Sequence, residues 1–233
     1  MKAKFVTVLF ALIAATAISA SAAVVDLTFE NINITYPDTN YAQILNYYNG
    51  GTSSDGTSGT NYGVSFPSNA LAICLNTVGN VCSDTSRGGL GDPSSQKGGL
   101  FFLTGSNTFV DVAAGFTTGF SFNYTAYSTP GSVQVYSGLD GTGTLLANLA
   151  LPATGGACNL SVYNAYFCPF YPIGVAFSGT AMSIDFGGTA NQIVFDDVTF
   201  GSATPGTPEP GTLVMFGSGV IGLAGLLRRK FNV

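Results

Sequence analysis

The chain runs to 233 residues with no histidine, seven lysines and arginines and twelve aspartates and glutamates, for a formal net charge of −5. Without histidine there is no Ser-His-Asp or Cys-His nucleophilic machinery and no His-ligated zinc or iron. All twelve carboxylates lie between Asp26 and Glu209, a stretch whose basic residues are Arg87 and Lys97; that balance excludes a nucleic-acid surface, which needs clustered cations.

Lys2 and Lys4 open the chain, Phe5 to Ile18 is apolar, and Ala20-Ser21-Ala22 supplies a small-residue site. This is the pattern of a secretory signal peptide over residues 1–22, with signal peptidase expected to cut after Ala22 or Ala23. Residues 23–204 suit one domain in length. Their apolar runs are short, β-branched and aromatic, and are separated by Gly, Ser, Thr, Asn and Pro. Strands are predicted at Val24–Glu30, Tyr62–Phe66, Ala70–Leu75, Gly99–Leu103, Thr108–Val112, Phe116–Tyr127, Ser132–Tyr136, Leu145–Leu149, Val175–Phe177, Met182–Phe186 and Gln192–Phe200. Phe120, Phe122 and Tyr124 alternate with Ser121 and Asn123, so one face of that strand is apolar. Helical periodicity is confined to Asn40–Tyr48, and the Gly/Ser/Thr-rich stretch from Asn49 to Asn61 reads as a surface loop. The fold class is all-β, a single β-sandwich.

Four cysteines fall in two close pairs, Cys74 with Cys82 and Cys158 with Cys168. In an exported chain they are expected to form disulfides. Four cysteines allow three connectivities; nearest-neighbour pairing is the expectation, because each pair brackets a short loop. Zinc is disfavoured by the lack of histidine and of any Cys-x-x-Cys. Leu151-Pro152-Ala153-Thr154-Gly155 fits the pentapeptide that sortases cut. It lies far from any membrane segment, and a Pro-initiated turn after a strand accounts for it.

Residues 205–233 form a third section. Pro208-Glu209-Pro210 precedes an uncharged stretch, Gly211 to Leu227, and then Arg228-Arg229-Lys230. About 17 residues at 1.5 Å rise cover roughly 25 Å, the short end of a transmembrane helix. Its glycines suit a lipid-embedded helix, and the cations beyond it stay in the cytoplasm. This order of Pro208, Glu209 and Pro210, an apolar helix, and Arg228 and Arg229 resembles the PEP-CTERM sorting signal of Gram-negative bacteria. The resemblance implies a transient inner-membrane anchor, processing by exosortase near the Pro-Glu-Pro, and a final place at the cell surface or outside it.

The body is similar to secreted jelly-roll domains related in plan to carbohydrate-binding modules. The residues that carry this are Asp26-Leu27-Thr28-Phe29-Glu30, the Tyr47–Gly51 and Tyr62–Phe66 block, Gly119–Phe122, Val133 to Gly143 and Ile193 to Phe200. In such folds the first and last strands often share a structural Ca²⁺. The resemblance therefore implies a calcium site built from Glu30 and one of Asp196 and Asp197, since consecutive strand residues face opposite ways. The alternative is that these carboxylates are solvated at strand ends. Tyr47, Tyr48 and Tyr62, and the group Tyr163, Tyr166, Phe167, Phe170 and Tyr171, are candidate sugar-stacking aromatics, with core packing as the competing account. The expected function is that of an exported, exosortase-processed, non-enzymatic surface or matrix protein associated with exopolysaccharide or biofilm. A carbohydrate-binding module and a two-carboxylate glycan hydrolase are the alternatives.

Overall fold

A computed structural model describes residues 24–33, 41–76, 82–83, 89–155 and 167–205. The expected signal peptide, transmembrane helix and sorting residues lie outside these, as do Cys158, Tyr163 and Tyr166. Fourteen strands are described: β1 Val25–Leu27, β2 Ala42–Gln43, β3 Val64–Ser65, β4 Leu71–Ala72, β5 Leu75–Asn76, β6 Cys82–Ser83, β7 Leu100–Phe101, β8 Asn107–Phe116, β9 Gly119–Ala126, β10 Gly131–Tyr136, β11 Leu145–Leu151, β12 Tyr171–Ala176, β13 Ala181–Gly187 and β14 Ile193–Phe200. One sheet orders β12-β9-β14-β7-β4-β2, with β1 also on β14; the other orders β11-β10-β13-β8-β3. A small hairpin joins β5 and β6. The body is an all-β sandwich.

Alternation decides what lies between the sheets. Phe120, Phe122 and Tyr124 of β9, Phe195, Val198 and Phe200 of β14, Val133 and Val135 of β10 and Ile184 and Phe186 of β13 all enter one core. The Phe186 ring lies 4.6 Å from Phe195 and 5.8 Å from Phe122, both edge-on, the geometry that aromatic quadrupoles favour. The outer face of the larger sheet is covered too. Ile73, Leu75, Phe101, Phe167 and Val194 form a second cluster there, with Phe170 packed against it. This explains why all eight residues of β14 are buried.

Three sequence expectations change. The opening strand stops at Leu27, because Phe29 and Asn31 take φ of 54° and 63°, which no strand accepts. The Ala70–Leu75 run divides into β4 and β5. The helical pattern ending at Tyr48 is β2 followed by turns: Ala42 pairs with Ala72, and Leu45 at φ 51° cannot continue a helix.

The two ends of the body meet. Val25 pairs with Phe200, and the chain beyond β14 folds back across β9 and β12. Gly201 N donates to Gly119 O, and a Cβ on Gly174 would sit 2.1 Å from Ala203 O and 2.6 Å from Ser121 Cβ. Gly174→Val should therefore lift residues 202–205 off the sheet at a cost of about 1–3 kcal/mol. Denaturant melts would show the loss, and limited proteolysis would show new cleavage in that segment. Unchanged protection there would mean that the sheet yields instead.

Candidate functional site

The carboxylates of β14 are the most unusual feature of the body. Asp196 and Asp197 are 0% and 1% exposed. Consecutive strand residues normally face opposite ways, so only one of the two is expected to face a shared site. The structure corrects this. Between Asp196↔Asn123 and Thr199↔Ser121, β14 uses one residue more than β9, a β-bulge. Asp197 absorbs the extra residue at φ 47°. Both side chains consequently turn to the outer face.

There both meet one hydroxyl. Ser95 Oγ lies 2.8 Å from Asp196 Oδ2 and 2.8 Å from Asp197 Oδ1. A serine has one proton to donate, so it satisfies one of the two oxygens. The other contact needs a proton on an aspartate or a cation. Asn123 Nδ2 donates to Asp197 Oδ2 at 3.1 Å, and Asp197 N donates to Asp196 Oδ1 at 2.8 Å. Burial pushes the Asp196 carboxyl well above the usual range, and the Asp197 charge pushes it further. Burial also raises Asp197, to about 7, against the lowering effect of the Ser95 hydrogen bond, with Asp92 and Asp26 adding repulsion. Asp26 is itself raised, mainly by burial, while the Thr199 hydroxyl opposes the shift. Asp92, 1% exposed, accepts from Ser94 N at 2.8 Å and so shapes the turn that carries Ser95.

Glu30 holds a loop through backbone donors. Its Oε1 accepts from Lys97 N at 2.6 Å and Gly98 N at 3.0 Å. It therefore fixes the far end of the 92–98 loop whose middle, Ser95, covers the aspartates. Glycine is required at 98, where a Cβ would lie 2.3 Å from Phe29 O. Among the described residues no group of three or more His, Cys, Asp or Glu side chains is arranged to hold a metal ion. Glu30→Gln should keep the shape but weaken two charge-assisted bonds, lowering stability by about 1–3 kcal/mol. Hydrogen exchange should quicken at Lys97 and Gly98; unaltered exchange there would show that the loop is held by other means.

Beside this cluster lies a cleft of about 240 Å³ lined by Asp26, Thr28, Glu30, Asn31, Tyr47, Tyr48, Gly59, Thr60 and Tyr62. Of the expected aromatics, Tyr47 and Tyr48 are buried: the Tyr48 hydroxyl accepts from Phe29 N and Tyr47 donates to Glu30 O. Tyr62 is 40% exposed, its ring stacked at 6.2 Å on Tyr48. Phe167 and Phe170 are packing residues, whereas Tyr171 is exposed. The Asn49–Asn61 stretch is a loop tied down at Ser53 and Thr57, whose hydroxyls lie 2.7 Å apart. In the Leu151–Gly155 turn, Thr154 Oγ1 bonds both Ala126 N and Ala126 O.

Cys74 and Cys168 are buried and disulfide-bonded, and no described cysteine is free. The backbone of Cys82 pairs with Asn76, two residues beyond Cys74. Non-reducing peptide mapping should return Cys74–Cys82 and Cys158–Cys168; a peptide joining Cys74 to Cys158 would refute the pairing.

Residues 206–230 match the PEP-CTERM protein-sorting motif. The motif implies export, a membrane-anchored C-terminal sorting region and processing by exosortase. No curated protein matches the chain. Among solved structures, it is similar to a carbohydrate-binding module of Cellvibrio mixtus lichenase 5A solved with cellotriose, at 11% identity and TM-score 0.34, covering 57% of this chain and 86% of that one. It is also similar to the K1 cleaved adhesin domain of Lys-gingipain from Porphyromonas gingivalis W83, at 13% identity and TM-score 0.36, covering 76% and 97%.

Among the described residues no helix is long and apolar enough to cross a membrane.

Proposed function

We propose that the processed body is a non-enzymatic surface or matrix protein that associates with extracellular polysaccharide. The observation that carries this is the joining of a sorting motif at 206–230 to a sandwich whose first and last strands pair, Val25 with Phe200. Such a body is exported whole and held at one end. The buried pair of carboxylates on β14, Asp196 and Asp197, is sealed beneath Ser95, which favours a structural role over acid–base chemistry on a substrate. Processed protein should co-sediment with the insoluble matrix of the native host and be released when the polysaccharide is digested. Protein that stays soluble beside intact matrix, or sugar release that Asp196→Asn abolishes, would sink this reading.

A carbohydrate-binding module is the second reading. It is favoured by the cleft in which exposed Tyr62 stands beside Asp26, Thr28 and Asn31, an aromatic face among hydrogen-bonding side chains. A structural Ca²⁺ belongs to the same proposal. Its donors would be Asp196 and Asp197, where the ion would take the place of the proton that Ser95 cannot supply twice. Glu30 would hold the covering loop.

A further inference from the structure

The outward face of the five-stranded sheet carries a row of polar side chains in register. Ile184 and Phe186 are fully buried in the core, so Asp185 between them faces outward. Asn148 lies opposite Gln134, Gln134 opposite Asp185, and Asp185 opposite Phe109. This row crosses four strands, about 14 Å at the usual strand spacing. One pleat further along, Tyr136, Ser183 and Asp111 form the next row.

That second row is closed over by the β10–β11 turn. Asp140 N donates to Asp111 Oδ1 at 2.9 Å, Ser183 Oγ donates to Gly138 O at 2.5 Å, and Gly141 N donates to Ser183 Oγ at 2.9 Å. The turn presses so closely that a Cβ on Gly141 would sit 2.5 Å from Phe109 Cε1. The first row therefore has a wall on one side and ends openly at Asn148, which is exposed.

Asp185 is the anomaly in this row. Asn107 Nδ2 donates to its Oδ2 at 3.2 Å, while Oδ1 is buried and accepts nothing. A buried acceptor without a donor is costly. Burial accordingly raises the Asp185 carboxyl above its usual range, with the Asn107 bond opposing the shift. For Oδ1 to meet a ligand the carboxylate has to turn about χ2, a broad torsion, in exchange for the Asn107 bond. Next to it, Tyr136 donates to Gln134 Oε1 at 2.9 Å, which orients the amide and lays a half-buried ring beside the row.

We propose that this row is a binding surface for a neutral polysaccharide, whose hydroxyls donate to Asp185 Oδ1 and bond the amides of Gln134 and Asn148, with the Tyr136 ring as apolar contact. Amides and a carboxylate in a line match alternating hydroxyl donors and acceptors, and the Tyr136 ring suits the apolar face of a sugar. Charge selects the class. The ionisable carboxylates on and beside this face are Asp111, Asp140 and Asp185, and the basic residue of the described body, Lys97, sits on the loop before β7 in the other sheet. An acidic polymer would meet like charge here.

The inference rests on the polysaccharide association proposed above and gives it a site. Soluble exopolysaccharide from the native host, separated into neutral and acidic fractions, is cast into native gels, and the processed protein is run through each. The neutral fraction should retard the wild type. Asp185→Ala and Asp185→Asn should each weaken retardation at least about tenfold, the value of one or two lost hydrogen bonds. Asp55→Asn, which removes the same charge elsewhere on the surface, should run as wild type. Both Asp185 variants should melt close to wild type: Ala loses the unpartnered oxygen together with the Asn107 bond, and Asn keeps an acceptor for Asn107. Equal retardation of Asp185→Ala and wild type overturns this site and leaves the polysaccharide association standing. Retardation by the acidic fraction alone overturns the ligand class. Wild type retarded by neither fraction overturns both readings.

Discussion

In excess chelator at pH 8, Asp196→Asn should melt above the wild type. Two carboxylates and one shared hydroxyl leave the wild type one proton short whenever both aspartates ionise. The sign follows from linkage. Asp197 is raised from 3.8 to about 7 in the folded protein, and Asp196 is raised well above 3.8, so between these values the folded state binds more protons than the unfolded chain. Stability is therefore full below about pH 4, falls as pH rises toward about 7, and lies lowest above it. At roughly 1.4 kcal/mol per unit, discounted for partial screening, the loss at Asp197 is on the order of 2–4 kcal/mol. Asn at 196 removes the neighbouring charge and brings a donor to the shared site. Each kcal/mol moves the midpoint of a domain this size by about 2–4 °C. The variant should thus exceed wild type by several degrees at pH 8 and match it more closely at pH 5. Calcium should raise the wild type at pH 8, by about 2.7 kcal/mol at one hundred times its dissociation constant, and should do little for the variant. A wild-type melting point flat from pH 5 to pH 8 would refute the shared-proton account. A clear pH dependence with no response to calcium would retain the proton and remove the metal.

The sandwich was legible because its signals are local. Alternation at Phe120–Tyr124 and at Val133 and Val135 names the inward face without any tertiary knowledge, and the structure buries those residues together. The carboxylate cluster was legible only in part. Asp196 and Asp197 stand out as charges in an apolar strand, but their common direction depends on a bulge set by the count of residues in β9, which no reading of β14 alone supplies. Ser95 was invisible for the same reason: it lies about a hundred residues away, in a loop with no periodicity. Glu30 stands out in the sequence as a glutamate near the opening strand, yet the partners of its Oε1 are backbone N–H groups, which leave no mark in a sequence. Asp185 could have been found from its place between Ile184 and Phe186. Its unmet oxygen could not, because that depends on what the neighbouring strands leave open.

Protein isolated from a native host with a working exosortase should lack Gly211 to Val233, and its mass should show it. The sorting motif covers 206–230, while the last described strand ends at Phe200 and the following residues, through Ala203, lie against Gly119 and Gly174. Cutting near Pro208-Glu209-Pro210 therefore removes no described strand, no described core residue and none of the carboxylates around Asp197. The processed body should melt at the same temperature as full-length protein held in detergent. From Gly206 to Pro210 the chain spans at most about 17 Å, so the cut falls close to the segment that lies across β9 and β12 at Gly119 and Gly174. In a host without exosortase the uncut chain should stay in the membrane fraction, held by the apolar stretch and by the cations Arg228, Arg229 and Lys230 on the cytoplasmic side. Exchanging those three for glutamate should weaken that retention while leaving the body folded. Secreted protein from the native host with Val233 still in place would show that this segment is not a removable anchor.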